Sequence, residues 1–280
     1  MNDVVVKRKL KTAMKSKNAG NVRGSKDDEG RVLFEAKELS ISIGKKIILD
    51  KVNLKVNEGD CCAVFGPNGS GKTTLLLTIA GVPGYTIEHG SMFLDGKDLR
   101  GLDAHERSKL GIFTAFQQPP EVVGVKLRDI LKICLKRKPK EDLTEKELGV
   151  VERLNLTKFL DRDINLAFSG GEKKRAEVLQ MIFSKSRFIL LDEPDSGVDL
   201  ESLELIGKEI QAYLDADKKR AALLITHQGR ILDYIQTKCG CVMLNGSIGC
   251  YGGAKKILKD IQEKGYEGCV KCRQKIIAIR

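Results

Sequence analysis

Gly66-Pro67-Asn68-Gly69-Ser70-Gly71-Lys72-Thr73 places three glycines, a lysine and a hydroxyl at the spacing G-x-x-x-x-G-K-[ST], a loop pattern that cradles phosphate. The spacing has a physical reason. Glycine reaches positive φ, so successive backbone N–H groups can close around an anion. A helix read from "KTTLLLTIAG" starts at the loop and turns its positive end towards the same point. Lys72 supplies a point charge for the β- and γ-phosphates, Thr73 offers a hydroxyl to Mg²⁺, and Thr74 belongs to the same binding stretch. The alternative is a bare turn, but a complete match between the apolar strand "CCAVF" and that helix argues against it. The loop alone names only a phosphate-binding class, since kinases, GTPases and many ATPases share it.

A second chemistry-bearing stretch is "RFILLDEP". Phe188 to Leu191 read as a buried strand, with Asp192 and Glu193 at its carboxyl end, where an open α/β sheet binds ligand. Asp192 is placed to hold Mg²⁺ through its water shell. Glu193 is placed to orient or deprotonate an attacking water. The bland alternative is a helix-capping acid ahead of Pro194, and only the pairing with the phosphate loop weighs against it.

"FSGGEKKRAEVLQM" narrows the class. Ser169-Gly170-Gly171-Glu172 resembles the signature of the ATP-binding-cassette (ABC) ATPases. Ser169 is expected near a helix N-cap, with the N–H groups of Gly170 and Gly171 facing outward as a second anion site. The resemblance implies a dimer in which one chain's phosphate loop and the other's signature helix hold one ATP. Gln117 in "TAFQQPP" matches the family's Q-loop glutamine, at the metal and the γ-phosphate, with Gln118 as its neighbouring rival. Ser196 to Asp199 resemble the D-loop that crosses between subunits, and His227 matches the switch histidine. Where the family often stacks adenine on an aromatic ring, this chain has Ile43, so base recognition is expected to be apolar packing.

Longer stretches are similar to one branch, the Suf iron–sulfur assembly ATPases: "AFQQPPEVVGV", "FSGGEKKRAEVLQM", "LDEPDSGVDLESL", "THQGRILDYI" and "KDIQEKGY". Gln228 and Gly229 depart from that branch's pattern. Membership would imply a partner, a β-helical scaffold of the SufB or SufD type, docking near residues 117–142. A membrane-transporter subunit is the alternative. Two fused cassettes or a coiled-coil insertion, usual in nucleic-acid-acting relatives, are missing, and nucleic acid is not expected as a partner.

Elements able to position these groups can be read around them. Residues 31–268 are expected to form the ABC domain: α/β, a P-loop core with an antiparallel β subdomain and an inserted helical subdomain at about 118–168. Strands alternating with helices imply parallel pairing in the core. Residues 1–30 carry eight Lys or Arg and four Asp or Glu with little periodicity, and are read as a disordered extension; 269–280 are read as a tail. The net charge of +11 over 280 residues is read as a solvated surface, because no basic run is interleaved with aromatics. No segment approaches the length of a membrane span, and none reads as a signal peptide, so a cytoplasmic setting with reduced thiols is expected. Cys269-Val270-Lys271-Cys272 is a single C-x-x-C, with Cys239, Cys241 and Cys250 nearby. A finger-like metal site needs a second pair, so the reading is reduced thiols, with Cys61, Cys62 and Cys241 buried in strands.

Overall fold

The computed structural model describes residues 30–277, with side chains as far as Val270. Residues 1–29, nearly all of the expected extension, and the Cys272 side chain lie outside the described residues. The described chain opens with an antiparallel hairpin, Val32–Ile43 (β1) and Lys46–Asn57 (β2), then enters Cys61–Phe65 (β3) and the helix Lys72–Ala80 (α1). Thr86–Leu94 (β4) returns to the free side of β1, and Lys97–Asp98 (β5) turns back on β4 around Asp95 and Gly96. These four strands make an antiparallel sheet in the order β2-β1-β4-β5.

A second sheet carries the chemistry. Ala104–Lys109 (α2) leads to Ile112–Ala115 (β6), and later come Phe188–Asp192 (β7), Ala221–Ile225 (β8), Cys239–Leu244 (β9) and Ser247–Gly252 (β10). Their order is β10-β9-β3-β8-β7-β6, parallel throughout except for the edge strand β10. Every residue of β3, β7 and β8 is buried, the pattern of parallel strands covered on both faces. Alternation sorts their side chains. Cys62 and Val64 join the core shared with α1 and the antiparallel sheet. Cys61, Ala63 and Phe65 join the opposite core.

That opposite core includes the inserted helices. Leu127–Cys134 (α3) and Glu145–Arg153 (α4) bury Leu127, Leu131 and Val151 against Ala176 and Leu179 of Gly170–Ser184 (α5). Thr144 and Glu147 close a reciprocal capping box at the start of α4. Leu200–Asp215 (α6) completes this layer.

The last helix, Ala254–Ile277 (α7), runs past the expected boundary at 268, with a break at Gly265, where φ is 69°. Burial explains the continuation: Cys269 and Val270 pack into the core, and a Cβ on Gly249 would come within 2.8 Å of Val270. Cys61, Cys62, Cys241 and Cys250 are also buried, as strand residues. Among the described residues, no group of three His, Cys, Asp or Glu side chains is arranged to hold a metal. None of the described helices is long and apolar enough to cross a membrane.

Candidate active site

Parallel register brings the chemistry to one edge. Val64 of β3 and Asp192 of β7 both pair with Ile225 of β8, and Ala115 of β6 pairs with Leu191. The strands therefore end level with one another. Gly66, Gln117, Glu193 and His227 all follow directly from these ends.

The lysine of the phosphate loop folds back onto the loop's own backbone. Lys72 Nζ donates to the Gly66 carbonyl at 2.8 Å and to the Pro67 carbonyl at 2.9 Å. The side chain is buried, and burial lowers its pKa against the opposing pull of Glu193 and Asp192. Gly71 sits at the N-cap of α1 with φ 103°, and a Cβ there would lie 2.5 Å from Leu49. Only glycine meets both demands. Asn68 and Gly69 are exposed at the mouth, Ser70 is buried, and Thr73 and Thr74 are half-buried in the first turn.

Asp192 is buried, and burial raises its pKa, opposed by a hydrogen bond with Thr73. Its Oδ1 atom is enclosed without a hydrogen-bond partner, as is Ser70 Oγ. Buried polar oxygens are normally satisfied. An orphaned carboxylate oxygen beside a threonine hydroxyl, below a phosphate loop, is the donor set a Mg²⁺ ion takes.

Glu193 is gripped at both oxygens. Gln117 Nε2 donates to Oε2 at 2.8 Å, and His227 Nε2 lies 2.7 Å from Oε1. Glu193 adopts φ 48°, a left-handed conformation uncommon outside glycine and asparagine, and its N–H donates to the Ile225 carbonyl at 3.0 Å. The three residues read separately from sequence thus form one cluster.

The signature serine caps α5 as expected. Ser169 N donates to Glu172 Oε2 at 2.8 Å, and Glu172 N donates to Ser169 Oγ at 3.3 Å. Gly170 is exposed, whereas Gly171 is buried, and a Cβ on it would lie 2.7 Å from Ser202 Oγ. Gly171 therefore also serves close packing against α6. Asp199 caps α6 through Ser202 N at 2.8 Å, and this hydrogen bond lowers its pKa. Ser196 is exposed, its N–H donating to the Glu193 carbonyl at 3.1 Å. The D-loop is thereby tied to the catalytic strand. Ile43 is 45% exposed, free to offer an apolar surface to a base.

Gly170 is in tight contact with the D-loop, since an added Cβ would lie 2.5 Å from the Gly197 carbonyl. Gly170→Ala should push Ser196 and Gly197 outward and spoil the face offered to a second subunit. The expected result is weaker nucleotide-dependent association, by about tenfold or more, with single-chain ATP binding retained, read by light scattering and by nucleotide titration.

Sequence reasoning missed several groups. Thr226 is fully buried; its Oγ1 donates to Asp195 at 2.7 Å and accepts from Gly229 N at 2.9 Å, which sets the turn after His227. A threonine between an apolar run and a histidine was the available signal. Lys174 and Glu177, on the signature helix, reach the backbone ahead of Gln117.

Comparisons with known proteins agree with this geometry. The family model described as ABC transporter matches residues 49–196. The chain is 41% identical to the "Probable ATP-dependent transporter ycf16" of Trieres chinensis, over 84% of this chain and 96% of that protein. It is 35% identical to the "Probable ATP-dependent transporter SufC" of Escherichia coli, over 84% of this chain and 97% of that one. Among solved structures, a nucleotide-free ATP-binding cassette from an ABC transporter superposes with a TM-score of 0.71 at 25% identity, covering 85% of this chain and 98% of that one. The ADP conformation of the cassette MJ1267 gives 0.67 at 27% identity, covering 82% and 96%. With phosphate loop, signature helix and Gln117–Glu193–His227 cluster on one fold, the chain belongs to the ABC ATPases, in their SufC-like branch.

Proposed function

We propose that the chain hydrolyses ATP to ADP and phosphate with Mg²⁺, as a head-to-tail dimer, to drive a SufB/SufD-type scaffold through its conformational cycle in iron–sulfur cluster assembly. One observation carries the hydrolytic part: Asp192 Oδ1 is buried and unpartnered beside Thr73, under a loop onto which Lys72 folds back. Thr73, Asp192 and Gln117 would hold Mg²⁺. The ion, when bound, neutralises charge on the phosphates and fixes their orientation. Lys72 and the loop amides bind the β- and γ-phosphates. Glu193 takes the proton of the attacking water, and His227 supports the γ-phosphate. Ser169 to Glu172 act on the nucleotide held by the second copy.

Gln117 and His227 each take up one oxygen of Glu193, which leaves less of the carboxylate open to an attacking water. A partner that draws Gln117 away frees one of the two oxygens. The surface around Gln117 suits such a partner. Phe116, Val122, Val123 and Ile133 are large apolar side chains left exposed between residues 116 and 133, with Leu166 also exposed. Exposed apolar residues gathered in one region mark an interaction surface. The SufC-like sequence favours a soluble scaffold there over a transmembrane helix.

The names of the relatives favour a second reading, the nucleotide-binding subunit of a membrane transporter. Purified chain assayed with and without a purified SufB/SufD-type scaffold separates the two. The scaffold should raise turnover by about tenfold or more, the scale of aligning one general base. Equal rates with and without it would remove the scaffold reading, and stimulation by a reconstituted permease would replace it.

A further inference from the structure

Two charged side chains with no part in the scheme above lie buried next to the Q-loop. Lys174 is 4% exposed and Glu177 is 5% exposed, one turn apart on α5. Glu177 Oε1 accepts the Phe116 N–H at 2.8 Å. Lys174 Nζ donates to the Phe116 carbonyl and lies 3.4 Å from Glu177 Oε2. Both backbone groups of the residue ahead of Gln117 are therefore held by one ion pair. We propose that Glu177, with Lys174, is a positioning residue of the hydrolytic site, clamping Phe116 so that Gln117 is presented to Glu193 and the metal. The inference rests on the reading of Gln117 given above.

Local packing does not do this job. The β6 strand ends at the small, buried Ala115, and Phe116 is 37% exposed, so no large buried side chain anchors Phe116 as the chain leaves the sheet. The clamp supplies the missing hold. It is also costly: burial pushes the Glu177 carboxyl up to about 7 even with Lys174 beside it. Apolar side chains of similar volume would fill the space without that cost. What they could not do is satisfy Phe116's N–H and carbonyl. The helix that carries the clamp begins at Ser169, in the signature itself.

The test uses the full chain and two double substitutions. Lys174→Met with Glu177→Leu removes the charges and the clamp while keeping volume, a change that buried ion pairs often tolerate without loss of stability. Lys174→Gln with Glu177→Gln keeps a donor for the Phe116 carbonyl and an acceptor for its N–H without net charge. The Met/Leu variant should let the Phe116 amide exchange about tenfold faster in the nucleotide-free protein, and should raise the Mg²⁺ concentration for half-maximal ATPase by about tenfold. The Gln/Gln variant should bring both back to within about twofold of the wild-type chain. If the Met/Leu variant keeps the wild-type Mg²⁺ requirement, or if both variants shift it equally, the pair serves only stability and the proposal fails. Should the unsubstituted chain show no ATPase activity, the reading of the site fails instead, and amide exchange still judges the clamp.

Discussion

Glu193→Gln chains mixed with Mg²⁺ and ATP will scatter light as dimers, at about twice the 31.0 kDa of one chain, and will stay dimeric for as long as ATP remains uncleaved. The geometry explains both halves of that result. Glutamine has the shape of glutamate but cannot take a proton from water, and losing a general base costs on the order of 10²–10⁴ in rate. On the proposed reading, ATP binding draws on Lys72 and the loop amides, and the closing contact on Ser169 and Gly170; the substitution leaves all of these in place. Nucleotide therefore enters, the second subunit closes on it, and the step that would reopen the pair is blocked.

The substitution also loosens the resting site. Glu193 accepts from Gln117 with one oxygen and faces His227 with the other. A side-chain amide offers an acceptor oxygen at one end and an NH₂ donor at the other, so contacts to a carboxylate give way to weaker contacts to a neutral group. The hold on Gln117 and His227 is loosened, which further favours the closed dimer. A variant that binds ATP yet remains monomeric would end the two-subunit picture. A variant that dimerises and still turns over at the wild-type rate would move the base elsewhere.

Why were some of these groups visible in the bare sequence and others not? The phosphate loop is legible because its chemistry is local. Gly71 and Lys72 carry the loop's pattern within eight residues, although Leu49, on a different strand, also presses on Gly71. The apolar strand ending in Asp192-Glu193 and the Ser169–Glu172 capping box are legible for the same reason. The bonds that make Glu193 a gripped residue are not local. They exist because β7 lies between β6 and β8, so that Gln117 and His227 emerge on its two sides. Strand order is set by packing of whole layers, not by any short motif. Lys174 and Glu177 are hidden for a related reason. On paper they are two charges in a run of charges, and only the fold turns that stretch inward, bringing Glu177 against Phe116, 61 residues away. The first half of β4 is hard to read from sequence because Thr86, Glu88 and His89 carry no apolar alternation, pairing instead through backbone groups to β1. Asp103 and Glu106 are a different case: their reciprocal cap at the start of α2 is a local signal and could have been read. At Gly171 the motif asks for glycine, and the fold adds a reason the sequence does not carry, close packing against Ser202.

Lys72→Ala should abolish measurable turnover and weaken Mg–ATP binding by at least about a hundredfold, since a buried ammonium forms the strongest class of hydrogen bond to phosphate. The nucleotide-free protein should behave otherwise. Burial lowers the pKa of Lys72, so at neutral pH its charge is held in the fold at a cost relative to the unfolded chain. The sign follows: a lysine whose folded pKa is depressed withholds stability once pH falls below its unfolded value, and removing it removes that penalty. The Gly66 and Pro67 carbonyls lose their donor; Pro67 is half-buried and can turn to water, whereas Gly66 is buried and its unpaired carbonyl offsets part of the relief. The apo variant should therefore melt no lower than the wild type by more than a degree or two, roughly the effect of a few tenths of a kcal/mol in a domain this size. Mg–ATP should raise the melting temperature of the wild-type chain, as any ligand of the native state does, and leave the variant where it was. This pairing of an intact fold with a silent ligand is what separates a phosphate-binding lysine from a structural one. An equal nucleotide-induced shift in both proteins would take the loop out of the site, and a collapse of the apo variant would make Lys72 a strut of the loop.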